Sequence, residues 1–225
     1  MDDITAQYLT KTNNTVSTTS IRRVVKAESY YHRCQGQCKI VVDCDFAHLI
    51  NEKESKSLAI QIMQAYGASR RSDQPISLVI AGLKPGFLMK ALSNISGYPN
   101  WLITLTSKSV DEICNSDNTV FLSADSSHSL TEIEASKTYV IGGIVDRNRH
   151  KGLFHSKANK LGFKSMRLPI REHINLTGSH ILNVHSVFEI FLNYYKYNGN
   201  WQQALLNAIP QRKLSKQQIQ TTEMV

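Results

Sequence analysis

Short apolar, β-branched runs at 39–43, 76–81, 101–105, 119–122, 139–144 and 163–168 alternate along this chain with segments of helical period. A strand that is apolar at consecutive positions has to be covered on both faces. Helices that cross between parallel strands supply that cover. The alternation predicts an α/β fold with a mainly parallel sheet flanked by helices. The intervening helices are expected at 51–66, 86–94, 110–114, 153–162, 182–197 and 201–208. In the first of them Asn51 is the expected cap, with Glu54 three residues on as in a capping box. Leu58, Ile62 and Ala65 mark its apolar face, and Lys53, Lys56, Gln61 and Gln64 fall largely off it. Gly162 is placed to close the helix after the fifth strand, and Pro169 ends the sixth strand.

The ends of the chain differ from the middle. Residues 1–38 are polar and rich in Thr, Ser and Asn, and are expected to be a flexible extension or loosely docked. The residues after Pro210 are Gln-rich and basic, and disorder is expected there. At 225 residues the chain has the length of one large domain. Hydrophobic residues make up 41%, enough for a core. No apolar run reaches the roughly 18 residues that a membrane span needs. The start, Met1-Asp2-Asp3-Ile4-Thr5, lacks the basic and apolar pattern of a secretory signal, so the sequons at Asn13, Asn94 and Asn175 carry no expectation. Cys34, Cys38, Cys44 and Cys114 form no spaced disulfide framework, which fits a reducing compartment, cytoplasmic or nuclear. His32, Cys34 and Cys38 lack a fourth ligand at zinc-site spacing and read as ordinary side chains.

The segment 139–153 reads Tyr-Val-Ile-Gly-Gly-Ile-Val-Asp-Arg-Asn-Arg-His-Lys-Gly-Leu. A buried strand runs into two glycines, where backbone is able to approach a ligand because no Cβ intervenes. Asp146 then falls at the mouth of the strand, where open α/β sheets place their chemistry. Arg147, Arg149, His150 and Lys151 make that mouth attractive to phosphate. A tight turn followed by a solvated basic helix start reads equally well from these residues alone. The fourth strand leads straight into Ser123-Ala124-Asp125-Ser126-Ser127, either a ligand loop with a helix start behind it or a plain cap. The net charge of +8 and a pI near 9.3 favour a polyanionic partner, nucleic acid first.

Several chemistries are missing. The first strand is not followed by Gly-x-Gly-x-x-Gly, and no phosphate loop, His-Glu-x-x-His or Gly-x-Ser-x-Gly motif occurs. What remains is a basic α/β domain with small-residue loops after its fourth, fifth and sixth strands. These permit a pocket without naming its occupant.

The ordered motifs do name a family. Val41-Val42-Asp43-Cys44-Asp45-Phe46, Asn51-Glu52-Lys53-Glu54, Gln61 with Ala65-Tyr66, and Arg70-Arg71 are followed by the 139–153 segment. Arg167-Leu168-Pro169-Ile170, Val187-Phe188-Glu189-Ile190 and Ile209-Pro210-Gln211-Arg212-Lys213 complete the series. Together they resemble the tRNA position-9 purine N1-methyltransferases of the SPOUT superfamily. The resemblance covers 39–213, which marks the domain and leaves 214–225 as a tail. It implies a trefoil knot in the C-terminal part of the sheet, S-adenosylmethionine as methyl donor, tRNA as substrate and a monomer.

Carried over by motif, the donor loops are Leu122, Ser123 and Ala124; Gly143 with Arg147 and Asn148; and Leu168 with Ile170. Leu182, Asn183 and His185 close that pocket. Asp146 matches the family's candidate general base, which would take the N1 proton of guanine or orient the ring. An ordinary Asp pKa of about 3.9 is low for that task, so burial or a nearby negative charge would have to raise it. Lys53, Gln61, Arg70, Arg71, Arg147 and Lys151 are the expected tRNA contacts. Three departures stand out. Phe154 occupies a place where many members carry a small residue or Cys, Asn183-Val184-His185-Ser186 differs from the usual stretch, and only 38 mildly basic residues precede the domain. A tRNA-binding subunit with little turnover is the alternative these departures support.

Overall fold

The computed structural model describes residues 18–145 and 152–215. Helix α1 spans Thr18–Cys34 and strand β1 Lys39–Asp43. They are followed by α2 (Glu52–Arg71), β2 (Ser77–Ala81), α3 (Phe87–Ser93) and the two-residue β3 (Thr104–Leu105). The central part holds α4 (Val110–Ile113), β4 (Thr119–Leu122) and β5 (Thr138–Gly142). The last part holds α5 (Leu153–Lys160), β6 (Lys164–Met166), α6 (Ile170–His173), α7 (Val184–Lys196) and α8 (Trp201–Ala208). The six strands form one all-parallel sheet in the order β3-β2-β1-β5-β4-β6.

Alternation along the strands divides the core in two. Ile40, Val42, Leu78, Ile80, Tyr139 and Ile141 point to one face, with Tyr30, Leu58, Ile62, Leu88, Phe188 and Leu205 from α1, α2, α3, α7 and α8. Val41, Val79, Phe121 and Val140 point to the other, a thinner layer closed by Val110 of α4, Ala158 of α5 and Phe163. Consecutive apolar positions in β1 are thus covered on both sides, as a central parallel strand requires.

Helix α2 begins with the expected capping box: Asn51 Oδ1 accepts from the Glu54 N–H at 3.0 Å, and Glu54 Oε2 accepts from the Asn51 N–H at 3.0 Å. It runs past Tyr66 to Arg71, because Gly67 lies inside a helix packed along most of its length.

Three sequence expectations are corrected. Of the two readings of 1–38, flexible or loosely docked, the flexible one does not hold for Thr18–Cys34, which is helical and docked. Ala27, Tyr30, Tyr31 and Cys34 recur at one-turn spacing and pack against the larger core layer. The Tyr30 hydroxyl lies 3.0 Å from Ser69 Oγ, and Arg33 donates to the Ser72 carbonyl at 2.7 Å. The helix start that one of the two readings placed behind Ser123 is also absent. Residues 123–137 cross from β4 to β5 as a loop held by buried Leu130 and Ile133 and by Trp201, whose indole donates to the Thr131 carbonyl at 2.7 Å. Last, Gln211–Lys213 is ordered as a 3-10 turn, and Leu214 is buried and bridges to Leu176.

Candidate functional site

A cavity of about 170 Å³ opens at the carboxyl ends of β4, β5 and β6. This is the edge of a parallel sheet where loops diverge and ligands gather. Its apolar lining comes from Leu122, Ile141, Ile144, Leu168, Ile170, Leu182 and Val187. Ser123, Ala124 and Gly142 contribute small side chains, and Asp125, Arg167, Arg171 and His180 bring charge or titratable groups to the same space.

Backbone bonds fix these loops in register beyond the strands. The Ser123 N–H donates to the Met166 carbonyl at 2.9 Å, the Arg167 N–H to His128 and the Leu130 N–H to Arg167, both at 2.8 Å. Ser126, almost fully buried, donates its hydroxyl to the Ser165 carbonyl at 2.7 Å. Asp125 Oδ2 accepts from the Gly152 N–H at 3.1 Å, which ties the β4 loop to the start of α5. The Arg167 guanidinium engages both oxygens of Glu172, at 2.9 and 2.6 Å, and holds that carboxyl at about 2.

Six of the residues expected to hold the donor line this one cavity: Leu122, Ser123, Ala124, Leu168, Ile170 and Leu182. Three others are not in its lining. Asn183 caps α7 through the Ser186 N–H at 2.7 Å, and His185 Nε2 lies 3.3 Å from Glu189 one turn along the same helix. Gly143 is the most instructive. Its N–H donates to the Asp43 carbonyl at 2.8 Å, and a Cβ there would lie 2.7 Å from that oxygen and 2.9 Å from Cys44 Sγ. The close approach that this glycine permits is to the neighbouring strand. Gly143→Ala is therefore expected to destabilise the protein by about 1–3 kcal/mol, as overpacking does. A thermal melt reads the loss, and an unchanged transition would show that the strand end yields freely.

Asp146, Arg147, Asn148 and Lys151 lie outside the described residues. Phe154 borders the cavity, but its ring leans on Phe121 with centroids 4.9 Å apart and packs over Gly142. It belongs to the thin core layer as much as to the site.

The expected tRNA contacts among the described residues do not form one patch. Gln61 is corrected outright: it is 9% exposed, and its Oε1 accepts from the Val184 N–H at 3.1 Å, which holds α2 to the start of α7. The spacing Leu58, Gln61, Ile62, Ala65 is itself an i, i+3, i+4, i+7 stripe and carried that signal. Lys53 is exposed in the first turn of α2 and Arg70 and Arg71 in the last, roughly 25 Å apart along the axis. Since α2 runs back from the end of β1 to the start of β2, the arginine pair lies at the opposite end of the sheet from the cavity. The Arg70 guanidinium sits 5.8 Å over the Tyr66 ring.

Beside the cavity, the end of β1 holds a buried ion-pair cluster. Asp43 is fully buried, and Lys157 of α5 reaches both Asp43 and Asp45 at 2.7 Å. Burial pushes the Asp43 carboxyl above its ordinary range, and Lys157 pulls against it. Burial also acts on Asp45, but Lys157 and Lys84 outweigh it and hold that carboxyl low.

The family described as tRNA (guanine(9)-N(1))-methyltransferase TRM10/TRM10A matches residues 4–214. A Schizosaccharomyces pombe tRNA (guanine(9)-N1)-methyltransferase is 38% identical over 184 residues, covering 78% of this chain and 59% of that protein. The human tRNA methyltransferase 10 homolog A is 34% identical over 177 residues, covering 78% of this chain and 52% of that protein. The chain spans between 52 and 63% of the length of the first curated relatives it matches. Among solved structures, full-length spTrm10 in complex with SAH aligns with a TM-score of 0.70 at 36% identity, over 77% of this chain and 95% of that one. A dual specific Trm10 from Thermococcus kodakaraensis shares the fold, with a TM-score of 0.58 at 18% identity.

Proposed function

Because this chain belongs to the TRM10/TRM10A family of tRNA (guanine(9)-N(1))-methyltransferases, we propose that it methylates N1 of guanosine at position 9 of tRNA, using S-adenosylmethionine and acting as a monomer. The observation that carries this reading is the convergence of Leu122, Ser123, Ala124, Leu168, Ile170 and Leu182 on one cavity. These are donor positions carried over from the family's motifs. The lining suits the donor: apolar side chains to flank an adenine ring, and loop backbone and small residues at the edges. S-adenosylhomocysteine in the spTrm10 complex supports the same assignment. The all-parallel sheet supports the trefoil knot that the family's fold implies.

The donor supplies an electrophilic methyl group on a sulfonium. What the chain contributes is alignment and proton handling. The loops after β4 and β6 would hold the donor beside the apolar lining. Guanine N1 has to lose its proton for its lone pair to attack, and Asp146, four positions beyond β5 in the sequence, is the proposed acceptor. Lys53, Arg147 and Lys151 are kept as proposed contacts to the tRNA backbone, and Arg70 and Arg71 as contacts at the far end of the sheet.

Incubation with an unmodified tRNA transcript and methyl-labelled S-adenosylmethionine is expected to place label on N1 of the position-9 guanosine, located by mass spectrometry of nuclease fragments. Tight tRNA binding without label would favour a binding subunit, and label on adenosine would replace the proposed purine.

A further inference from the structure

The cavity is apolar inside and cationic along one side of its mouth. Arg167, Arg171 and His180 all line it, and they come from three places: the end of β6, helix α6 and the loop before α7. Lys213 from the 3-10 turn after α8 joins them, its Nζ donating to the Ile181 carbonyl at 2.9 Å. Two carboxylates stand nearby and both are engaged. Glu172 pairs with Arg167 through both oxygens, and Asp125 accepts from the Gly152 backbone. Among the described residues no carboxylate pairs with Arg171, which is exposed. Arg171 and Lys213 thus bring positive charge to this edge without a carboxylate paired to either among the described residues.

We infer that Arg171, His180 and Lys213 form a seat for a phosphodiester of the RNA backbone, next to the nucleotide presented to the cavity. The inference rests on the methyltransferase reading and extends it, since the motifs assign these residues no tRNA contact. Position separates this seat from the donor's own pocket. Arg171 is exposed at the cavity's edge and Lys213 is not in its lining, whereas the apolar residues lie within. A guanidinium fork suits phosphate oxygens. Ile181, 44% exposed between His180 and Leu182, gives the same edge an apolar surface against which a ribose or base would lie.

His180 gives the seat a signature. Partial burial lowers its pKa, and the cations Arg171, Lys213 and Arg167 lower it further. Glu172 is paired with Arg167 and Asp125 accepts from a backbone N–H, and neither carboxylate is among the causes that move His180. Both effects favour the neutral imidazole in the free protein. A phosphate set among these cations favours the imidazolium, so RNA binding takes up a proton. The sign follows directly. A group whose pKa rises on binding makes binding tighter as pH falls, and the gain lies between the free and bound values. A rise of one unit corresponds to about tenfold in affinity at the acid end.

The test measures affinity of the full chain for an unmodified tRNA transcript, from about pH 5.5 to 8 where an imidazole titrates. S-adenosylhomocysteine affinity is measured in parallel by calorimetry. The unaltered protein is expected to bind tRNA more tightly at acid pH, and His180→Gln to flatten that dependence. Arg171→Ala is expected to weaken tRNA binding more than S-adenosylhomocysteine binding and to reduce the salt slope by about one. Unchanged tRNA affinity and slope in Arg171→Ala would overturn the seat. So would a loss that falls mainly on S-adenosylhomocysteine, which would make these cations part of the donor's pocket. A pH dependence that survives in His180→Gln would overturn the proton linkage and with it the role of His180. An unaltered protein that binds neither ligand would remove the methyltransferase reading itself.

Discussion

Asp146→Asn is expected to lower turnover on a tRNA carrying guanosine at position 9 by about 10²–10⁴-fold, the range for removing a positioned general base. The substitution keeps the shape and most of the hydrogen bonding of the side chain. It removes the ability to accept the N1 proton. Affinity for tRNA is expected to change far less than turnover, because no phosphate contact is lost. The pH profile sharpens the test. With a carboxylate base, the single-turnover rate climbs with pH until the carboxyl is ionised, and the Asn protein lacks that inflection. An adenosine substrate, whose N1 carries no proton, is expected to be less sensitive. Matching single-turnover rates for the two proteins on guanosine at every pH would leave Asp146 with an orienting role at most.

Lys157→Met is the second large effect, this time on stability. Asp43 is fully buried and the Lys157 side chain is only 13% exposed, so removing the cation leaves a carboxylate without its partner inside the protein. Breaking a buried pair from one side costs about 3–5 kcal/mol. Equilibrium urea unfolding reads the difference. The pH dependence has a definite sign. Without Lys157 the folded pKa of Asp43 lies above its unfolded value, so the penalty is full when the group is ionised and shrinks as pH falls through the folded value. In an Asp43→Asn background the same lysine substitution is expected to cost much less. A deficit below about 1 kcal/mol, the level of an exposed pair, would mean that water reaches the site. Because Lys157 belongs to α5 and Asp43 to the end of β1, the pair holds the helix after residues 146–151 against the centre of the sheet. Phe46 adds a ring 5.1 Å from the same ammonium.

These two residues show what was legible beforehand and what was not. Asp146 stands out in the sequence because it is a lone acid between a Gly-Gly strand end and a basic run. Lys157 does not stand out. It is an ordinary basic residue on a short helix, and its partner lies 114 positions away. Gln61 shows the same limit from the other side: a polar side chain in a motif read as an RNA contact, yet spent on the Val184 amide. Helix α1 was missed because its apolar stripe is sparse and includes tyrosines, though the one-turn spacing of Ala27, Tyr30, Tyr31 and Cys34 is plain once seen.

The sequence by itself determined the strand succession, most of the helices between the strands, the parallel class of the sheet and the family, because these depend on local periodicity and on motifs that are contiguous in the chain. It also placed Leu122, Ser123, Ala124, Leu168 and Ile170 at strand ends, where a parallel sheet opens. Only the tertiary structure decided which strands are neighbours, that Gly143 makes room for Asp43, and that Arg167, Arg171, His180 and Lys213 share one edge. Long-range contacts of this kind arise when β6, α6 and the chain after α8 converge on one sheet edge, and spacing along a chain carries no record of that convergence.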